Sequence, residues 1–113
     1  MRSYSVIAIP SQSAATVNSI NISASYFFSF SVQFNAMGGG AAGSVKVQVS
    51  NDNASGISTV PTNWSDLPGA SVSISGAGSY LIPRQESCYA WLRLVYTNSG
   101  GGTIQATVAA LGT

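Results

Sequence analysis

The sequence predicts an all-β protein, an antiparallel β-sandwich. Three observations support this fold class. Short stretches of alternating apolar and polar residues recur along the chain, with the two-residue period of strands. Gly, Pro, Asn and Ser separate these stretches, as expected for turns. No window combines a helical period with capping residues, so we predict no helix.

Three strands are predicted in the first third of the chain. The first runs from Tyr4 to Ile9, and Pro10 is expected to end it. The second lies within residues 16–22. The third, residues 26–34, alternates most clearly and is expected to be half buried. The face of this strand that we expect in the core carries Tyr26, Phe28, Phe30, Val32 and Phe34.

A glycine-rich loop, residues 35–43, is expected to lead into a fourth strand at residues 44–50. The valines of that strand share one face, and Lys46 and Gln48 lie on the other. A long polar loop follows, with a brief extended piece and a turn signal at Pro68-Gly69.

Four further strands lie close together in the last part of the sequence. They are predicted at residues 70–75, 79–83, 88–97 and 103–111. The last two form a hairpin around a loop that includes three glycines, Gly100 to Gly102. We expect this triplet, like Gly38 to Gly40, to form a flexible loop tip.

Eight strands without a helix in 113 residues favour a single domain, residues 1–113, folded as an eight-stranded jelly roll. An immunoglobulin-like sandwich is the alternative. The lone Cys88 removes an intrachain disulfide but does not exclude that fold.

Charge is scarce, and this limits the partners to expect. Charged residues make up 6% of the chain and the net charge is +1, against roughly 25% charged residues in an ordinary domain. The four cations are scattered, so nucleic acid is not an expected partner. No apolar stretch is long enough to span a membrane, and the start predicts a first strand rather than a signal peptide. Weak repulsion between neutral copies predicts a homo-oligomer.

Catalysis is not expected, because the chemical inventory is small. The chain has no histidine to act as a general base or to activate Cys88. Its three carboxylates, Asp52, Asp66 and Glu86, show no spacing typical of a glycosidase. Neither a cofactor nor a metal site is predicted, since no ordered set of ligands occurs.

The best candidate recognition segment is the polar loop from Ser50 to Gly69. An exposed tryptophan beside hydrogen-bonding side chains is suited to stacking and orienting a sugar ring. The alternative is that the tryptophan folds back and closes one end of the sandwich. The candidate ligand-binding residues are Asn51, Asp52, Asn63, Trp64 and Asp66.

The strand at residues 88–97 carries an arginine among apolar residues. Arg93 is expected to face solvent, to pair with a carboxylate or to lie at a subunit contact, and we name it as a candidate assembly residue. Trp91, also in mid-strand, is expected in the core.

Residues 43–112 resemble small bacteriophage virion proteins, accessory components of heads, spikes or tails. The resemblance is carried by a valine-rich strand into Ser-Asn-Asp, then Asn-Trp-x-Asp, a strand with Trp-x-Arg, and a glycine-rich hairpin into a final Thr-Ile strand. The same layout is similar, more weakly, to discoidin-type and carbohydrate-binding jelly rolls. The chain is shorter than those domains and lacks their flanking cysteines.

The resemblance implies a non-enzymatic structural protein located in a virion, where it decorates the capsid or builds a spike or tail. Its partners would be copies of itself, with a trimer expected from the threefold symmetry of viral spikes and fibres, and other virion proteins. The alternative is a module that attaches a particle or a cell to a glycan.

Overall fold

The structure, a computed structural model, describes residues 2–12, 16–19, 21–24, 27–38, 40, 42–52 and 61–112. None of these residues belongs to a helix with the length and hydropathy needed to cross a membrane. Within these ranges the chain forms nine strands: β1 (Arg2–Gln12), β2 (Thr16–Asn18), β3 (Ile22–Ser23), β4 (Phe27–Met37), β5 (Gly43–Ser50), β6 (Ser65–Ile74), β7 (Gly78–Glu86), β8 (Trp91–Asn98) and β9 (Thr103–Gly112).

The strands form two antiparallel sheets, which confirms the predicted β-sandwich. The first sheet has the order β1-β9-β4-β7. The second sheet has the order β2-β8-β5-β6, and β3 also pairs with β8. The pairing is nested, because β1 pairs with β9, β2 and β3 with β8, β4 with β7, and β5 with β6. With β2 and β3 counted as one interrupted strand, eight strands remain, in the order of the jelly roll that the sequence predicts.

The core lies between the inner faces of the two sheets. Phe30 and Phe34 of β4 are almost completely buried, together with the alternate valines of β5 and Leu92 and Leu94 of β8. The alternation predicted this burial for Phe30 and Phe34 of β4, whereas in β8 the residue expected in the core was Trp91. The buried polar residues among those described are three serines, and no charged residue is buried. Packing of apolar side chains is therefore the main source of stability.

The start of β4 departs from the prediction. Phe27 packs against the core, whereas Phe28 is 52% exposed, so the expectation of a buried Phe28 was wrong. The cause is a register shift against β9 between Phe27 and Ser29, which breaks the strict alternation. Tyr26, expected on the same face, lies outside the described residues.

Strand β1 continues past Pro10 to Gln12, which the sequence did not predict. Its register against β9 shifts twice, between Ile7 and Ile9 and again between Ile9 and Gln12. β1 is an edge strand, where a residue without an N–H group is tolerated.

A bulge in β6 replaces the turn expected at Pro68-Gly69. Lys46 pairs with Ser71 and Gln48 with Asp66, so that four residues of β6 lie opposite Val47. Gly69 has φ of 78°, a conformation that residues with a side chain rarely adopt. The bulge merges two expected pieces into one strand and determines which residue of β6 faces Gln48.

The two glycine-rich segments contact each other, although both were expected to be free loop tips. The N–H of Gly101 donates to the carbonyl of Gly40 at 2.9 Å, and the N–H of Ser99 to that of Ala42 at 3.0 Å. A Cβ on Gly100 would lie 2.3 Å from the carbonyl oxygen of Gly40. The predicted loop at residues 35–43 is also shorter than expected, since β4 extends to Met37.

Two phenylalanines of β4 offer a direct check of this core. We expect Phe34→Ala to lower the free energy of unfolding by about 3–5 kcal/mol, because Phe34 is fully buried. Phe28→Ala serves as the matched control and should cost less than about 1 kcal/mol. Chemical denaturation measures both values, and equal losses would contradict the placement of the two rings.

Candidate functional site

Three polar side chains form a row across the outer face of the second sheet. Arg93 of β8 lies opposite Gln48 of β5, which lies opposite Asp66 of β6. The Nε of Arg93 donates to Oε1 of Gln48 at 2.9 Å, and Nε2 of Gln48 donates to Oδ1 of Asp66 at 2.9 Å. Cross-strand neighbours of this kind hold one another in place.

The row follows from the core and from the bulge in β6. Since the valines of β5 point inward, Gln48 must point outward. Leu92 and Leu94 fix Arg93 outward in the same way. The bulge then places Asp66 directly opposite Gln48.

Two tryptophans flank the row. The guanidinium carbon of Arg93 lies 4.4 Å from the ring centroid of Trp64, a cation–π contact. Trp91 is half-buried on the same outer face, and its Nε1 donates to the carbonyl of Asp52 at 3.1 Å. Trp64 therefore lies against the sheet, and the expectation that Trp91 belongs to the core was wrong. We call the set Trp64, Trp91, Arg93, Gln48, Asp66 and Lys46 the aromatic–polar platform.

The negative charge of Asp66, the carboxylate in the platform, is compensated by a neighbouring lysine. The Nζ of Lys46 lies 3.2 Å from Asp66, in an exposed ion pair. The hydrogen bond from Gln48 and then that from Lys46 hold the pKa of Asp66 below its ordinary value of 3.8. Burial lowers the pKa of Arg93, because partial removal from water disfavours its charge.

The other predicted ligand-binding residues hold a loop together. Oδ1 of Asn51 accepts a hydrogen bond from the backbone N–H of Ala90 at 2.9 Å. Oδ2 of Asp52 accepts the backbone N–H groups of Thr62 and Asn63 at 2.9 and 2.7 Å. These bonds, that from Asn63 first, lower the pKa of Asp52. The geometry thus gives both side chains a structural use as turn-stabilising acceptors.

The structure brings the predicted residues into one region in two groups. Trp64, Asp66 and Arg93 join the platform. Asp52 lies beside it and accepts from Trp91, Asn63 is bonded to Asp52, and Asn51 is bonded to Ala90. Residues 53–60 of the predicted recognition loop lie outside the described part of the chain. Sequence reasoning did not single out Gln48, whose signal was only its outward position between core valines.

The groups of the platform are suited to stacking and hydrogen bonding. Among the described residues, no three His, Cys, Asp or Glu side chains come together to hold a metal ion. A planar aromatic surface beside a guanidinium, an amide and a carboxylate offers stacking and hydrogen bonds to a polar ring.

A second surface, the apolar face, is the outer side of the first sheet. The large hydrophobic side chains that the described residues expose all lie on its strands. Ile7 and Leu81, 56% and 58% exposed, belong to one row across the sheet that also includes Thr107 and Gln33. The complete set is Ile7 on β1, Phe28 and Met37 on β4, Leu81 on β7 and Leu111 on β9.

A shallow groove of about 250 Å³ crosses this face. Small residues, Ser31 and Ala109 among them, line it beside Leu111. Of the charged residues on these strands, Arg2 and Glu86 lie toward one end of the sheet, whereas Arg84 lines the groove beside Ser31.

Comparison with known proteins identifies shared folds. No family model and no curated protein matches the chain. The solved structure of YomS, a protein derived from the SPBc2 prophage, covers 96% of this chain and 92% of its own at 8% identity, with a TM-score of 0.64. A low-affinity xylan-binding module, CBM86 from the xylanolytic gut symbiont Roseburia intestinalis, covers 100% and 97% at 11% identity, with a TM-score of 0.51. PirA covers 97% and 92% at 15% identity, with a TM-score of 0.50.

At these identities the likeness shows the fold alone. The predicted resemblance to β-sandwiches of phage and carbohydrate-binding proteins is therefore confirmed at the level of architecture. The likeness does not assign the function of any of these proteins to this chain.

Acid should destabilise the protein through its two hydrogen-bonded carboxylates. The folded pKa values of Asp52 and Asp66 lie below the ordinary value of 3.8, so each group stabilises the fold while ionised. We expect the free energy of unfolding to hold from neutral pH down to about pH 5 and to fall as the pH drops through 3.8 and below. Denaturation at a series of pH values measures it. The double variant Asp52→Asn/Asp66→Asn should respond less to acid, and an unchanged response would contradict this origin.

The contacts of Arg93 should contribute modestly to stability. We expect Arg93→Ala to lower the free energy of unfolding by about 1 kcal/mol, since it removes a half-exposed cation–π contact and one hydrogen bond. Arg84→Ala is the control, because Arg84 is exposed and has no hydrogen bond or ion pair with the described residues. Thermal denaturation compares the two, and an equal effect of both variants would argue against the platform.

Proposed function

We propose that this protein is a non-enzymatic structural component of a phage particle that self-associates through the apolar face. One observation carries the proposal: among the described residues, the exposed large hydrophobic side chains all lie on the strands of one sheet. Scattered single hydrophobics are normal on a protein surface, but a patch confined to one face is typical of an interaction site.

A second copy of the same chain is the occupant that this face fits. The row of Ile7, Thr107, Gln33 and Leu81 carries no charge, so two copies can pack on it without bringing like charges together or burying an unpaired ion. Ile7 and Leu81 are exposed on this face, and Leu111 borders its groove, so protruding and recessed parts occur on the same surface.

The size of the face also suits such a contact. Four strands about 4.8 Å apart and about ten residues long give a flat footprint of about 600 Å². A stable interface buries about 800 Å² of accessible surface on each partner, and the side chains add to the flat area. The footprint is therefore of the right order for one subunit contact.

A place in a virion is supported by the fold shared with the prophage-derived YomS and by the sequence resemblance to small virion proteins. Capsid decoration, a spike or a tail would each use repeated self-contacts of this kind. The trimer remains a prediction. So does an assembly role for Arg93, which lies on the second sheet, away from the apolar face.

Oligomeric state tests the proposal directly. We expect the unmodified protein to form an oligomer in size-exclusion chromatography with light scattering, and Ile7→Ser/Leu81→Ser to shift it to monomer. Val95→Ser, which removes an apolar side chain from the outer face of the second sheet, is the matched control and should leave the oligomer intact.

Two results would overturn self-association through this face. One is an unmodified protein that stays monomeric at about 1 mM, where a contact with a Kd tighter than that would be visible. The other is a double variant that is folded and still oligomeric. Immunogold labelling of purified particles with an antibody against the chain tests the virion assignment, and unlabelled particles would refute it.

A further inference from the structure

On the solvent-facing side of the aromatic–polar platform, the positive charge of Arg93 has no counter-ion among the described residues. Arg93 uses its Nε for Gln48 and lays its guanidinium against Trp64. The terminal nitrogens of Arg93 have no hydrogen-bond partner among the described residues. Four N–H donors of a planar fork are thus available at the surface.

The nearby carboxylates are engaged elsewhere. Asp66 accepts from Gln48 and pairs with Lys46, and Asp52 accepts two backbone N–H groups and the side chain of Asn63. Within the described residues the ion pair of Lys46 and Asp66 leaves the charge of Arg93 without a counter-ion. The platform is therefore complementary to a ligand that brings an anion.

The rest of the platform indicates what the anion is attached to. The half-exposed rings of Trp64 and Trp91 lie on a flat sheet face beside the polar row. Flat aromatic surfaces next to amide, carboxylate and ammonium groups suit a rigid ring with an apolar side and several hydroxyls. Such a rigid ring loses little conformational entropy when it binds an open surface, whereas a flexible peptide would lose more.

We propose that the aromatic–polar platform binds a carboxylate-bearing sugar, with the acid group on the terminal nitrogens of Arg93 and the sugar ring against Trp64. A planar guanidinium can bind a carboxylate through two parallel hydrogen bonds. Gln48, itself bonded to Asp66, holds the fork in position, and Lys46 and Asp66 offer hydrogen bonds to hydroxyls. This site lies on the opposite sheet from the apolar face, so self-association through that face would leave it exposed.

The first experiment screens the unmodified protein on an array of sialic-acid and uronic-acid glycans beside their neutral or carboxyl-reduced counterparts, with a polyglutamate peptide as a further arm. We expect binding to acidic glycans only. Equal binding to the neutral counterparts would overturn the role of the carboxylate. Binding to the peptide alone would overturn the sugar, and binding to nothing would overturn the site.

Variants then assign the residues by calorimetry with the strongest soluble glycan. We expect Arg93→Gln and Trp64→Ala to weaken binding about tenfold or more, and Arg93→Lys to weaken it less, because it keeps the charge but loses the fork. Arg2→Gln removes an equal charge from the first sheet and should leave affinity unchanged. Equal losses in the Arg2 and Arg93 variants would show a general charge effect and refute the site.

A measurement on the unmodified protein covers the case in which a variant fails to fold. In an NMR titration with the glycan, the indole N–H of Trp64 and the Nε–H of Arg93 should shift, whereas the amides of Ile7 and Leu81 should not. Shifts confined to the apolar face would overturn the proposal. Ile7→Ser/Leu81→Ser should keep its affinity per subunit, so failure of self-association and failure of sugar binding can be told apart.

Discussion

The contact between the inner faces of β4 and β9 on one side and β5 and β8 on the other determines everything else in this molecule. Phe34, Val47 and Leu94 are buried there without any polar partner. Because side chains alternate along a strand, each buried residue forces its neighbours outward. The same core therefore builds two outer surfaces of different chemistry, one apolar and one aromatic and polar.

The core could be predicted from sequence where the alternation is regular. β5 was predicted with its valines on one face, and that face is the inner one. In β8 the alternation was recognised, but Trp91 was expected in the core and lies on the outer face. Two errors fall at register shifts, where Phe28 is exposed and β1 continues past Pro10. The error at Trp91 does not, since β8 pairs with β5 without a shift. A bulge depends on the fit of one strand against its neighbour, and local sequence does not contain that fit.

The candidate site could be predicted in its residue types but not in its arrangement. Trp64, Asp66 and Arg93 were singled out for their chemistry, yet their union on one face depends on the pairing of β5 with β6 and β8. Gln48, which links Arg93 to Asp66, was not predicted as a site residue. The role of an outward-facing glutamine depends on its cross-strand neighbours, which the sequence alone does not identify. Asn51 and Asp52 have side chains typical of a ligand site, but both accept hydrogen bonds from backbone N–H groups.

The bonded pair of glycine-rich loops makes two distant parts of the chain depend on each other. The N–H of Gly101 donates to the carbonyl of Gly40, and a methyl group at position 100 would collide with that carbonyl oxygen. A longer or bulkier loop on one side therefore calls for a compensating change on the other. A foreign peptide grafted onto this end of the sandwich would therefore require both loops to be redesigned together, as one unit.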